Sequence, residues 1–194
     1  MPKIVDAEQR REMIAQVIEE MALTTGVEEI RMREVAERVG CSTNAIYHYF
    51  RSKAEMLIHA QKLGRRRAGE RLAALAETVP FAERIDVLLP LSEDRRREWH
   101  TWFLLWGMPQ TDPAVAAERR EGADDANRLV SELVRGEIEA GRLDKSSNAE
   151  DVAYDIMLIV NGIASLAAPD PVSWPTERQQ ATLRRHLKGL GFHL

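Results

Sequence analysis

The sequence predicts an all-α protein, and three observations carry that reading. Apolar residues recur with the 3.6-residue period of amphipathic helices in segment after segment. No stretch alternates apolar and polar residues between turn signals, as a half-buried strand would. Cap residues, prolines and glycines fall between the periodic segments, where helices start and stop. Read in order, these signals divide the chain into nine helices.

Met1 to Asp6 reads as a frayed arm. The first helix runs from Ala7 to Thr25, with Ile14, Val17, Ile18, Met21 and Ala22 on one face, and Gly26 ends it. The second spans Met32 to Val39, turning Met32, Val35, Ala36 and Val39 inward, with Gly40 as a left-handed stop. Ser42 caps a short third helix. Ser52 and Glu55 have the S-x-x-E spacing of a capping box that opens a fourth, expected to reach Thr78 with Met56, Leu57, Ala60, Leu63, Leu72 and Leu75 inward. A fifth covers Phe81 to Leu88, between Pro80 and Pro90. Ser92 opens a sixth that ends near Trp106. Asp112-Pro113, a cap followed by proline at the first helical position, opens a seventh that extends to Gly141. Ser147 and Glu150 suggest a second capping box, for an eighth helix ending near Ala168. After Pro169, Pro171 and Pro175, the ninth helix occupies Thr176 to Leu190.

Bulk properties narrow the function classes. With 194 residues the chain has ample length to bury a core. Its formal net charge is −4, yet residues 30–67 hold nine Lys or Arg against three Asp or Glu, so positive charge is concentrated there. A single cysteine, Cys41, excludes an intramolecular disulfide and a Cys-rich zinc site. The most apolar stretch, Val152 to Ala168, is interrupted by Asp155 and Asn161, so no membrane span is expected, and no secretory leader is evident. A soluble, cytoplasmic protein without cofactor or metal is the expectation. His59, His100, His186 and His193 lack metal-ligand spacing and read as structural.

Residues 40–53 are the most informative. In the third helix, Ala45, Ile46, Tyr49 and Phe50 form an apolar stripe that must pack on something. Thr43, Asn44, Tyr47, His48 and Arg51 form the opposite face, and every one can donate a hydrogen bond. Such a helix, fixed by one face and presenting donors on the other, is suited to a polyanion. Helices two and three, joined by Gly40-Cys41-Ser42, have helix-turn-helix proportions, which places Thr43 and Asn44 where base edges are read. Asparagine can pair bidentately with adenine, and threonine offers a hydroxyl and a methyl group. Tyr47 and His48 suit phosphate contacts, and Lys53 lies at a helix start, where backbone N–H groups also favour phosphate. The candidate DNA contacts are Arg33, Ser42, Thr43, Asn44, Tyr47, His48 and Lys53. Cys41 reads as a small turn residue, and Arg65-Arg66-Arg67 as a solvated or interhelical face.

The run from Ile46 to Leu57, Ile-Tyr-His-Tyr-Phe-Arg-Ser-Lys-Ala-Glu-Met-Leu, preceded by Met32 to Gly40, resembles the TetR family of bacterial transcriptional regulators. The specific likeness spans Gln9 to Leu57. Leu183-Arg184-Arg185-His186-Leu187 is similar to the end of the choline-responsive BetI-type branch. The resemblance implies a DNA-binding domain at 1–52, a ligand-binding and dimerisation domain at 53–194, and a third helix that reads DNA. It also implies that Tyr47, His48 and Lys53 grip phosphates and that the last two helices pair between subunits. One departure is Ile30-Arg31, where the family has threonine or serine opening the second helix; the hydroxyl cap is lost, at about 1 kcal/mol.

The expected partners are therefore double-stranded DNA carrying a near-palindromic operator, a small-molecule effector of unknown identity, and a second copy of the chain. Ile156, Ile159 and Ile163 on the eighth helix and Leu183, Leu187 and Leu190 on the ninth are the candidate dimer contacts. Trp99, Trp102, Phe103 and Trp106 crowd the sixth helix, as core packing or as the wall of an effector cavity. Phe81, Met157 and Asn161 are further ligand candidates, and Glu98 or Asp155 could neutralise a cation. A constitutive DNA-binding protein without ligand and a helical enzyme are the competing classes. The latter lacks any nucleophile–base pair or Glu-x-x-His motif.

Overall fold

A computed structural model describes residues 3–109 and 111–193. Among these residues the chain forms nine α-helices and one 3₁₀ turn. They are α1 (Lys3–Ala22), the turn Val27–Glu29, α2 (Met32–Val39), α3 (Thr43–Tyr49), α4 (Lys53–Ala73) and α5 (Phe81–Asp86). The rest are α6 (Glu93–Gly107), α7 (Pro113–Glu139), α8 (Ala149–Ala167) and α9 (Thr176–Gly189).

The chain clusters into two compact units, Met1–Arg66 with Arg97–Arg120, and Arg67–Arg96 with Glu121–Leu194. In the first, α1 packs on α2 and α2 on α3. Its core joins Ile14, Ile18, Met21, Ile30, Val35, Ile46, Phe50, Met56 and Leu57, with Leu104, Leu105 and Val115. In the second, α9 packs on both α8 and α5. The carboxylate of Asp86 ties α5 to α9 by accepting from Gln180 Nε2 at 2.7 Å and Arg184 Nη2 at 3.1 Å.

Helix ends follow local chemistry where a single residue decides them. Gly40 sits at φ 73°, and its N–H closes on the carbonyls of Ala36 and Glu37. Ser42 Oγ accepts from the Ala45 N–H at 3.2 Å, and Asp112 Oδ1 accepts from Ala114 and Val115 at the start of α7. Ser52 Oγ accepts from the Glu55 N–H at 3.1 Å, while the returning Glu55 carboxylate takes the Arg51 N–H at 2.8 Å.

Four boundaries differ from expectation by three or more residues or in the residue that caps them. Of the arm expected at Met1 to Asp6, Met1 and Pro2 lie outside the described residues, and from Lys3 the backbone is already helical. No proline or glycine in Lys3–Asp6 opposes a helix, so nothing local ends it there. At its other end α1 stops at Ala22, because Thr24 and Thr25 both fold their hydroxyls onto the Met21 carbonyl. Helix α4 stops at Ala73, and residues 74–79 turn back so that Phe81 enters the core of the second unit, leaving Leu75 half-buried. The cap of α8 is Asn148, whose Oδ1 accepts from Glu150 and Asp151. Ser147 is instead drawn into a turn by its N–H bond to the Asp144 carbonyl, and the Glu150 side chain pairs with Arg135.

Candidate functional site

The short helix α3 has the two faces its sequence implies. Ile46 is buried, and Ala45 and Tyr49 are partly covered. Phe50, the C-cap residue, is wholly buried. Opposite them Asn44, Tyr47, His48 and Arg51 are exposed, with Tyr47 53% accessible, and Thr43 is half-buried at the first turn. Asn44 and Tyr47 therefore sit one turn apart on an open face whose underside is anchored. Ser42 is exposed and already serves as the helix cap, and Arg33 projects from the exposed side of α2.

Lys53 opens α4 and is half-buried. Burial lowers its pKa, with Glu28 opposing and Arg31 adding to the shift, so Glu28 and Arg31 both lie within electrostatic reach of its ammonium. Arg31 occupies the N-cap of α2 without making a side-chain cap bond; its Nε donates to the Glu28 carbonyl at 3.2 Å. The departure from a hydroxyl cap thus leaves a second cation beside Lys53.

Beneath α3, the Arg11 guanidinium lies 4.6 Å from the centre of the Phe50 ring, and the His59 ring lies 5.4 Å from it. Burial, then Arg11, pushes the His59 pKa below the ordinary histidine value; Arg66 acts with them, and Glu8 and Glu12 oppose. The folded unit therefore disfavours the protonated ring, so its stability is full above the ordinary value and falls as pH drops through it towards the depressed one. Lowering pH from about 7.5 to about 5.5 is expected to reduce the melting temperature, and His59→Leu to flatten that dependence. Equal slopes for the two proteins in thermal melts would remove His59 as the cause.

The arginine run is interhelical. Lys62 and Arg65 pair with the buried Glu118 carboxylate at 3.2 and 3.5 Å, and Arg66 bonds Glu12 at 3.0 Å. Cys41 is a half-buried free thiol in the turn. Among the described residues no group of three His, Cys, Asp or Glu could hold a metal ion. None of the described helices is long and apolar enough to cross a membrane.

The aromatic candidates on α6 are not alike. Trp102 packs against the core of the first unit and meets Trp106 edge-on at 5.9 Å. Trp106 is 54% exposed, and its face is covered by the Arg119 guanidinium at 5.0 Å. Arg119 also donates to the Leu105 and Met108 carbonyls, closing the end of α6. Trp99 and Phe103, both half-buried, contact each other at 5.8 Å. In the second unit, Phe81 stacks on Phe192 at 4.4 Å and lines a cleft of about 510 Å3, together with Pro80, Glu137, Arg142, Arg184 and Lys188. Asn161 and Met157 are half-buried, and the Asn161 amide donates to the Met157 carbonyl at 2.7 Å.

The expected dimer contacts are unequally exposed. Ile156, Ile163, Leu183 and Leu187 are buried within the protomer, where α8 packs on α9, and have little surface left for a second copy. Ile159 and Leu190 are half-buried. The apolar side chains that α8 turns outward are Tyr154, Leu158 and Leu166, at 52%, 71% and 51% exposure. Helix α8 is apolar on more than one face, and a helix of that kind has a second face to cover.

Residues 14–60 match the family model for bacterial regulatory proteins of the tetR family, and residues 82–191 match that for the C-terminal domain of BetI-type transcriptional repressors. The chain belongs to the TetR family. It is a transcriptional regulator with an amino-terminal helix-turn-helix. It is 27% identical to the HTH-type transcriptional regulator PksA of Bacillus subtilis (strain 168), over 98% of this chain and 94% of that one. Among solved structures, a transcriptional regulator from Rhodococcus sp. Rha1 superposes with a TM-score of 0.81 at 27% identity, covering 93% of this chain and 95% of the other. A transcriptional regulator from Saccharomonospora viridis in complex with choline gives the same TM-score of 0.81 at 17% identity, covering 96% and 100%. That likeness concerns the fold. For this TetR-family chain, the helix-turn-helix assignment falls on α2 and α3.

Proposed function

We propose that this TetR-family regulator is a repressor that binds a near-palindromic operator as a homodimer and is released by a small-molecule effector. The observation that carries the DNA reading is α3 itself: Ile46 and Phe50 are buried while Asn44, Tyr47 and His48 stand open on the other side. Thr43 and Asn44 meet base edges, and Tyr47, His48 and Lys53 hold phosphates, with Arg33 and Ser42 at the margin. Arg31, beside Lys53, adds positive charge at the same edge. Two such heads must present themselves about 34–36 Å apart, so a modest change in their separation weakens binding. An effector acts by binding the released arrangement more tightly than the DNA-bound one. The BetI-type match over 82–191 supports a sensing role; the effector-site candidates are Trp99, Trp102, Phe103 and Trp106 in the first unit and Phe81, Met157 and Asn161 in the second.

Selection of bound duplexes from a random pool tests this reading. A recovered site with two-fold symmetry is expected; failure to enrich any sequence at moderate salt would defeat it. On the recovered site, Lys53→Ala should weaken binding and flatten the dependence of log affinity on log salt by about one unit. Asn44→Ala should instead relax base preference at one position per half-site, at a cost of about 1–3 kcal/mol there. Choline, bound by the Saccharomonospora relative, is the first effector to try, and retention of the duplex at millimolar choline excludes it.

A further inference from the structure

The reading helix needs more than a buried face, because α3 has only seven residues and ends on Tyr49. A helix that short is marginal unless its termini are held. Its start is held by Ser42. Its end is held from a different helix. Arg11 Nη1, on α1, donates to the Tyr49 carbonyl at 3.1 Å, one of the acceptors left without an intrahelical partner at the C-terminus of α3. The same guanidinium lies over the Phe50 ring at 4.6 Å, and its Nη2 approaches Glu55 Oε1 at 4.0 Å. The other Glu55 oxygen accepts from the Arg51 N–H at 2.8 Å, and the Glu55 N–H is taken by Ser52. One side chain therefore reaches the last carbonyl of α3, the residue that caps it, and the carboxylate that fixes the bend into α4.

We infer that Arg11 is a positioning residue for operator recognition: it sets the orientation of α3, and with it Asn44 and Tyr47, without touching DNA. The inference rests on the proposed DNA-reading role of α3. The planar fork suits the task, since it can hydrogen-bond in its plane while its face covers an aromatic ring. A cation at a helix C-terminus also complements the local dipole. Lysine keeps the charge but has neither the fork nor the flat face. It can serve the carbonyl or the carboxylate, and it leaves Phe50 uncovered.

Arg11→Lys and Arg11→Gln test this in the full-length protein, at a temperature where circular dichroism shows both folded. The probes are the selected operator and a scrambled duplex of equal length, with affinities read by fluorescence anisotropy over a range of salt. Arg11→Lys is expected to weaken operator binding about tenfold. Affinity for the scrambled duplex should change far less, and the salt slope should stay at its wild-type value, because Lys53, the cationic phosphate contact, sits on α4 and is untouched. General loosening of the unit would lower both affinities together and would overturn the inference. A salt slope reduced by about one would also overturn it, by making Arg11 a phosphate contact. Undiminished operator affinity in both variants would do the same while leaving α3 as the reader. If the wild-type protein showed no preference for any duplex, the DNA-reading proposal itself would fall.

Discussion

Replacing Phe50 with alanine is expected to destabilise the first unit by about 3–5 kcal/mol, the range for a buried phenylalanine whose cavity does not collapse. The ring is wholly buried in the same core as Ile14, Ile46 and Leu57. It is flanked by the Arg11 guanidinium and the His59 ring, neither of which can move in to fill the space. Both are polar, and each already spends its position on other contacts or on burial. Phe50 also caps α3, where its N–H bonds the Ile46 carbonyl at 2.9 Å. The backbone bond survives the substitution, but the hydrophobic anchor for that end of the helix does not. Denaturant unfolding should show the loss directly, and DNA binding should fall with it even where the protein remains folded. Phe50→Leu, which restores much of the volume, should recover most of the stability. A loss below about 1 kcal/mol for the alanine variant would mean that the core closes over the cavity and that Phe50 does not hold α3.

The contrast between α3 and α8 shows what sequence can and cannot convey. For α3 the reading was nearly complete, because the signals are local. Gly40 needs a left-handed conformation, Ser42 caps, and Ile46 and Phe50 have only one way to face. Helix α2 was legible to the residue for the same reason. Lys53 could be placed at the start of α4 from the Ser52 and Glu55 spacing alone. Arg11 could not be connected to α3, because 38 residues separate it from Tyr49 and no periodicity links them. Similarly, the early end of α4 follows from the need to bury Phe81, a tertiary demand that overrides the helix-forming run Ala73-Ala74-Leu75-Ala76. The arginines at 65–67 read as a solvated or interhelical face, and sequence could not choose between the two. Glu118, the partner of Arg65, lies far along the chain in a helix that looks polar, and Glu12, the partner of Arg66, lies on α1. In α8 the apolar residues were found, but not which of them point inward. When both faces of a helix are apolar, the period assigns residues to stripes without saying which stripe the fold keeps for itself.

Leu158→Asp is expected to leave the protomer folded and to abolish the proposed homodimer at concentrations where the wild type sediments as a pair. The side chain is 71% exposed in the protomer, so the substitution removes little from the core. It lies between Tyr154 and Gly162 on the outward stripe of α8, with Asp151 and Asp155 exposed close by on the same helix. Burying a new carboxylate there without a partner costs several kcal/mol, or about a hundredfold or more in the dimer dissociation constant. The nearby aspartates add repulsion when two copies of the helix approach each other. Sedimentation equilibrium should show monomers, while circular dichroism stays at its wild-type value. Operator affinity should fall steeply, since two linked heads bind a two-part site far better than one does. Ile163→Ala supplies the opposite case. Ile163 is 3% exposed inside the protomer, so its truncation should lower unfolding stability, by about 2–5 kcal/mol, without first dissociating the proposed dimer. A Leu158→Asp protein that still sediments as a dimer would show that the partner sits on another surface. In that case Tyr154, Leu158 and Leu166 would be left as an exposed apolar stripe in need of a different occupant.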